Sequence, residues 1–190
     1  MASHDPLSAS LAAALRAARV ARDLSASALA ERAGVSRAMI GKIERGQAQP
    51  TAALLARLSA ALGMTFSELV ARAEDHHQRR LIRAADQPMW TDPATGYRRR
   101  AVSPPAGGPL ELVEVELPAG AEVAIPADAY TFTHHQIWVL AGDLRFREGD
   151  AVHELDAGDC LQLGPPAPCA YVNPTRRPCR YLVALAKRSA

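Results

Sequence analysis

The thirteen residues from Gly34 to Gly46, GVSRAMIGKIERG, constrain this chain more than any other stretch. A glycine, a small hydrophobe and a serine lead into a short helix, and a second glycine ends it. Gly34 suits a helix terminus that needs positive φ, Val35 plugs the turn, and Ser36 supplies an N-cap oxygen. Upstream, Ser25 is placed to cap an earlier helix that closes at Gly34. The segment from Leu24 to Gly46 therefore predicts two helices joined by a tight turn.

At 100° per residue, Ile40 and Ile43 point inward against Leu29 and Val35, while Arg37, Ala38, Gly41 and Lys42 lie on another face. In a helix-turn-helix unit, positions early in the second helix reach base edges in the major groove. Arg37 can donate two parallel bonds to guanine, and Ala38 can touch a thymine methyl. Gly41 costs a helix about 1 kcal/mol relative to alanine. It either permits close approach to a duplex or is an exposed site without a role. A domain that only mediates protein contacts is the alternative, but cap, turn glycine, plug and basic face coincide, and together they point to double-stranded DNA.

Charge agrees. Within the net charge of +2, residues 1–80 hold 11 Lys and Arg against 7 Asp and Glu, a net of +4, and the remainder holds 11 against 13, a net of −2. A modestly basic first half suits a polyanion. The hydrophobic fraction of 48% is that of a globular protein. No apolar run reaches the length of about 20 residues that spans a bilayer. The alanines of MASHDPLSASLAAALRAARVARD are interrupted by arginines and lack the basic leader and apolar core of a secretion signal. Three cysteines, Cys160, Cys169 and Cys179, form no disulfide framework or metal-finger spacing, and a reducing cytoplasm is the expected compartment.

Texture divides the chain. Up to about Ala73, apolar residues recur at helical spacing: Leu11, Leu15 and Ala18; Leu29, Ala30 and Ala33; Leu54, Leu55, Leu58 and Leu62; Phe66, Leu69 and Val70. With the segment after Ser36 these predict five short helices. The polar run EDHHQRRLIRAADQP reads as a linker. Beyond it come short alternating or β-branched runs separated by Pro, Gly and Asp: GYRRRAVS, LELVEVEL, EVAI, HQIWVLA, LRFRE, AVHEL, CLQL and RYLVAL. They predict an antiparallel sandwich or barrel. The expected boundaries are 1–75 for an all-α helix-turn-helix domain, 76–88 for a linker and 89–190 for an all-β domain.

Residues 7–73 resemble the Cro/C1-type (XRE) helix-turn-helix domain of bacterial and phage repressors. The resemblance is carried by Arg19, LAERAGVS at 29–36, IGKIERG at 40–46, Pro50 and LSAALGM at 58–64. It implies an ion pair between Arg19 and Glu44 that ties the first helix to the third. It also implies base or phosphate contacts from Ser36, Arg37, Ala38, Met39, Gly41 and Lys42, and backbone grips from Ser25, Gln47 and Gln49. Ala26 departs from the pattern, standing where many relatives carry a phosphate-binding glutamine. Affinity should then lean on arginines and fall steeply with salt.

The second half, from about Met89 to Lys187, resembles the cupins, small jelly-roll barrels (double-stranded β-helices), through WTDPATGYRRRAVSP, HHQIWVLAGDLRF, LDAGDC and NPTRRPCRYLVAL. Anchored on Gly142, the family's metal-ligand positions fall on His135, on Ala129 and Thr131 or Asp128 and Tyr130, and on Cys169. The framework positions Gly158, Gly164, Pro166 and Asn173 are retained. The ligand set is not, since a catalytic metal wants three or four well-placed donors. No cofactor is expected; His135 and Cys169 are the weak candidates for a metal. His134 should point to the opposite face.

The resemblance implies a barrel that takes a small-molecule effector among Tyr130, His135 and Cys169, with a filled barrel that serves only for dimerisation as its alternative. Trp138 should face outward and mark a homodimer interface, unless the segment around Trp90 covers it. Arg98, Arg99 and Arg100 should border the linker or bind an anionic effector. The expected whole is a dimeric, effector-controlled transcriptional regulator. Its rival is a metal-dependent cupin enzyme with a DNA-binding appendage.

Overall fold

The computed structural model describes residues 6–65, 68, 69, 80–104 and 109–187, with the side chains of 6–10 left aside. Its helical half runs α1 (Pro6–Val20), α2 (Ala26–Arg32), α3 (Arg37–Glu44) and α4 (Ala52–Ala61). Each of the last three begins on a side-chain cap. Ser25 Oγ accepts from Ala28 N–H at 3.0 Å, Ser36 Oγ from Met39 N–H at 3.1 Å, and Thr51 Oγ1 from Leu54 N–H at 3.3 Å. These bonds satisfy donors that a helix leaves orphaned at its start. Gly34 takes φ +63°, the left-handed value the α2–α3 turn requires. Leu15, Ala18, Leu29, Ile40, Leu55 and Leu58 are fully buried and make the core of this half.

Of the expected fifth helix, Glu68 and Leu69 are helical, while Phe66 and Val70 lie outside the described residues. Its start is marked by a reciprocal capping box: Glu68 N–H donates to Thr65 Oγ1 at 3.1 Å, and Thr65 N–H to Glu68 Oε2 at 2.8 Å.

The second half is antiparallel β structure: β1 (Met89–Thr91), β2 (Arg98–Ala101), β3 (Leu110–Leu117), β4 (Glu122–Ile125), β5 (Thr133–Ala141), β6 (Leu144–Glu148), β7 (Ala151–Leu155), β8 (Cys160–Gln162), β9 (Cys169–Val172) and β10 (Cys179–Lys187). One sheet has the order β1-β2-β3-β10-β5-β8, the other β4-β9-β6-β7. Their inner faces meet in aromatic contacts. Tyr171 of β9 stacks on Tyr181 of β10 across the sheets with centroids 5.5 Å apart, and within the four-stranded sheet its cross-strand neighbour Phe146 of β6 meets it edge-on at 4.9 Å.

Burial in β5 follows the two-residue period: Thr133, His135, Ile137 and Val139 are buried, while His134, Gln136 and Trp138 are exposed. Gly142, between β5 and β6, has φ +77°, and a Cβ there would lie 3.0 Å from the Pro178 carbonyl oxygen. Both backbone and space demand glycine at that turn. Eight strands fall where alternating runs predict them. The short strands β1 and β9 add to these, and β9 is the central partner of both β4 and β6.

Candidate nucleic-acid interface and barrel cavity

The outer face of α3 is built from behind. Ile40 and Ile43 are 0% and 1% exposed. Arg19 of α1 grips Glu44 with two parallel bonds, Nε to Oε1 at 2.7 Å and Nη2 to Oε2 at 2.9 Å, and its Nη1 donates to the Leu24 carbonyl at 2.8 Å. The fork fixes α3 against α1 and against the turn that leads into α2.

Ser36, Arg37, Ala38, Met39 and Lys42 are exposed on α3 and its cap, as are Ser25 at the start of α2 and Gln47 and Gln49 after α3. Gly41 is half-buried, because the Arg45 guanidinium lies across it: a Cβ there would sit 3.0 Å from Arg45 Nη1. Arg45 also donates from Nε to Gln47 Oε1 at 2.9 Å. It is a further cation on this surface, one that helical spacing alone did not single out.

In the β half, Tyr130 and His135 meet edge-on at 4.9 Å, and the Tyr130 hydroxyl lies beside Cys169 and Tyr171. His135 Nε2 shares a 2.6 Å hydrogen bond with Thr133 Oγ1, and Cys169 Sγ donates to the Ala167 carbonyl at 3.3 Å. Asp128 and Thr131 are exposed, so neither joins this group, and His134 points out as its strand parity requires. Among the described residues, no three His, Cys, Asp or Glu side chains gather as a metal ion would need. One imidazole and one thiol do not fit the three or four donors of a cupin metal centre.

Burial pushes the Cys169 thiol up to about 11, against a smaller opposing effect from Tyr130, and burial likewise lifts Cys179 to about 11. Near pH 8 only about 0.1% of either is thiolate, the reactive form. Iodoacetamide should therefore modify the exposed Cys160 first, and Cys169 and Cys179 only after denaturation, as read by peptide mass spectrometry. Fast labelling of Cys169 in the folded chain would contradict this.

A cavity of about 300 Å³ lies between the mouth of the β half and α4. Tyr130 and His135 line it, with Trp90, Val115 and Arg99 from the six-stranded sheet and Ser59 from α4. Cys169 does not: it faces a separate void of about 10 Å³ with Glu148 and Leu163, although Tyr130 and His135 border both. The expected trio is thus adjacent but divided between two spaces. Ser59 gives no sign in the sequence, since it sits within an apolar helix repeat and only docking against the β half brings it to the cavity.

That docking has specific bonds. The Thr65 hydroxyl donates to Glu111 of β3, with oxygens at 2.9 and 3.1 Å, and Lys187 of β10 pairs with Glu68. Trp138 stays exposed, at 48%, whereas Trp90 is buried against Tyr97. The segment around Trp90 therefore does not cover Trp138. Among the described residues no helix is long and apolar enough to cross a membrane.

The described residues form a capped helix-turn-helix unit docked on a half made of two antiparallel sheets. Residues 15–69 match the helix-turn-helix family HTH_3. Over 60 residues the chain is 42% identical to the HTH-type transcriptional regulator SutR of Escherichia coli (strain K12), covering 32% of this chain and 34% of SutR. The match thus spans about a third of that relative's length. The whole chain superposes on an HTH_3 family transcriptional regulator from Vibrio cholerae with a TM-score of 0.81, covering 97% of this chain and 100% of that one at 24% identity. A hydroxypropylphosphonic acid epoxidase from S. wedmorenis superposes with a TM-score of 0.46 at 18% identity, over 94% and 97% of the two chains. The family match is thus confined to the helix-turn-helix segment, residues 15–69, and the likeness of the rest to the Vibrio cholerae structure is one of fold.

Proposed function

We propose that this chain is a sequence-specific DNA-binding transcriptional regulator that acts as a homodimer and answers to a small molecule held in its β half. The observation that carries the reading is the exposed, basic face of α3, anchored by buried Ile40 and Ile43 and by the Arg19–Glu44 fork. Arg37, Ala38 and Met39 stand where base edges pass in the major groove, with Gly41 and Lys42 one turn on. Ser25, Ser36, Gln47 and Gln49 flank that line and hold phosphates. Trp138, outward on β5 beside Leu140, is the proposed subunit contact.

A dimer needs half-sites about one helical turn apart. A small rotation between subunits then decides whether both heads dock, and an effector that favours one arrangement shifts operator occupancy. The rival reading, a metal-dependent enzyme, needs three or four donors, and among the described residues no third His, Cys, Asp or Glu joins His135 and Cys169.

Selection of bound sequences from a random duplex pool tests recognition and dimer symmetry together, and a two-fold site is the expected result. Arg37→Ala should relax preference at one base pair by about 1–3 kcal/mol. Gln47→Ala should weaken binding evenly across sequences, as loss of a phosphate contact does. Unchanged affinity and specificity in both variants would show that α3 does not lie along the bases.

A further inference from the structure

The cavity joins two kinds of wall. On the β side it is lined by Val113, Val115, Val123, Val183 and Leu185, which suits an apolar body. Its volume of about 300 Å³ is at the lower end of small-molecule sites. It holds the equivalent of about ten waters, and so a molecule of roughly ten non-hydrogen atoms. The other wall is α4 of the helical domain, through Ala52, Ala56, Ser59 and Ala60.

Among the described lining residues the cations Arg22, Arg99 and Lys187 outnumber the carboxylates. Three consecutive arginines occupy β2, and strand parity separates them. Arg98 pairs with Glu116 and Arg100 with Glu114 on the outer face. Arg99 lies in register between Trp90 and Val115, in a row that continues to Tyr181 and Val139, all four of them buried. Cross-strand neighbours share a face, so Arg99 projects into the interior, where it lines the cavity. Its positive field opposes the upward push of burial on the Tyr97, Tyr171 and Tyr181 hydroxyls. Arg22 and Lys187 add two more cations to the rim. Among the described lining residues Glu68 is the single carboxylate, and it is engaged by Lys187 and by Thr65 N–H.

A second observation comes from α4. Ser59 is 2% exposed and lines the cavity, yet its Oγ has no hydrogen-bond partner among the described residues. A buried hydroxyl without a partner is costly, and such groups ordinarily find one in a ligand or ordered water.

We infer that the cavity is a binding site for a small organic acid, its carboxylate held by Arg99 and its apolar body against the valines of the β wall, with Ser59 of α4 donating a further hydrogen bond. This rests on the proposed function in placing the effector in the β half, and it adds the ligand's class and route of action. The occupant touches the reading domain itself. It biases α3 through α4, whose Leu55 and Leu58 share a buried core with Ile40 and Ile43, and no relay along the linker is needed.

The test uses the full chain and three six-carbon probes: hexanoate, hexan-1-ol and hexylammonium. Trp90 lines the cavity and supplies a fluorescence readout beside calorimetry. Hexanoate should bind saturably at millimolar concentration or below, hexan-1-ol about tenfold more weakly, and hexylammonium not at all, as a charge-assisted bond to Arg99 requires. Arg99→Gln should erase the preference for hexanoate over hexan-1-ol, and Ser59→Ala should weaken hexanoate about threefold. Far-UV circular dichroism checks that both variants fold, and the three-probe comparison on the unaltered chain stands without them.

Absence of saturable hexanoate binding at millimolar concentration, equal binding of hexanoate and hexan-1-ol, or unchanged hexanoate affinity in Arg99→Gln would each overturn the site. Operator binding by ligand-free protein is measured alongside. A chain that binds hexanoate through Arg99 but no duplex keeps the site and overturns the proposed function, and the converse overturns the site alone.

Discussion

Replacing Glu44 with alanine should cost the helical half about 3–5 kcal/mol, the loss that follows when one partner of a largely buried ion pair is removed. The two side chains are only 14% and 10% exposed, so water cannot stand in fully for the lost carboxylate. Arg19 would keep its bond to the Leu24 carbonyl but leave two donors facing the emptied position. Glu44→Gln, which retains one acceptor, should fall between wild type and alanine. Arg19→Lys should also destabilise, because an ammonium cannot reproduce the two-pronged geometry. Urea titration followed by far-UV circular dichroism measures all three. A loss below about 1 kcal/mol for Glu44→Ala would mean that the pair behaves as a solvent-screened surface bridge.

The same fork bears on the DNA recognition proposed for α3. It ties α3 to α1 and, through the Leu24 carbonyl, to the turn that leads into α2, so loss of the pair should loosen the angle of the outer face of α3. In Glu44→Ala, operator affinity should fall at temperatures where the domain is still folded, a pattern that Arg37→Ala, on the exposed side, should not share.

The parts of this fold that can be read in the sequence are those set by interactions within a few residues. Ser25 and Ser36 cap their helices because the N–H three residues on is the group they satisfy. Gly34 takes positive φ because the turn needs it, and the alternation in β5 and β10 places His135 and Tyr181 inside with no reference to partners. What escapes depends on distant contacts. CAYV lies among prolines and is too short to show a period, and it becomes β9 because β4 and β6 pair with it on either side.

The site divides in the same way. The outward face of α3 follows from helical spacing, and the cluster of Tyr130 and His135 follows from strand parity and the cupin resemblance. Ser59 reads as one more small residue in the LSAALG repeat. Its buried hydroxyl acquires meaning only once Thr65 meets Glu111, 46 positions away, and closes α4 over the mouth of the β half. Arg45 reads as a helix-end cation, and its place across Gly41 depends on the course of its own long side chain.

Asn173→Ala should be the most damaging single change in the β half, on the order of 3–5 kcal/mol. Asn173 is fully buried, and its Nδ2 donates to the carbonyls of Leu117, Pro118 and Arg177 at 3.0, 3.1 and 2.8 Å. Its Oδ1 accepts from Thr175 N–H at 3.0 Å and from the Thr175 hydroxyl at 2.8 Å. One side chain thus ties the end of β3, in the six-stranded sheet, to the loop that leaves β9 of the four-stranded sheet. Because Thr175 N–H can only donate, the orientation of the amide is determined by its partners. Asn173→Asp therefore gives the sharper result. It preserves the shape and keeps the acceptor, but it turns a second oxygen toward three carbonyls and buries a charge, so it should destabilise at least as much as alanine. Near-universal expectations from size alone rank the two variants the other way, with the isosteric change the milder. Thermal unfolding followed by near-UV circular dichroism, which reports the stacked Tyr171 and Tyr181, separates them. An Asn173→Asp chain as stable as wild type would show that the carbonyls hold together without the donated hydrogen bonds.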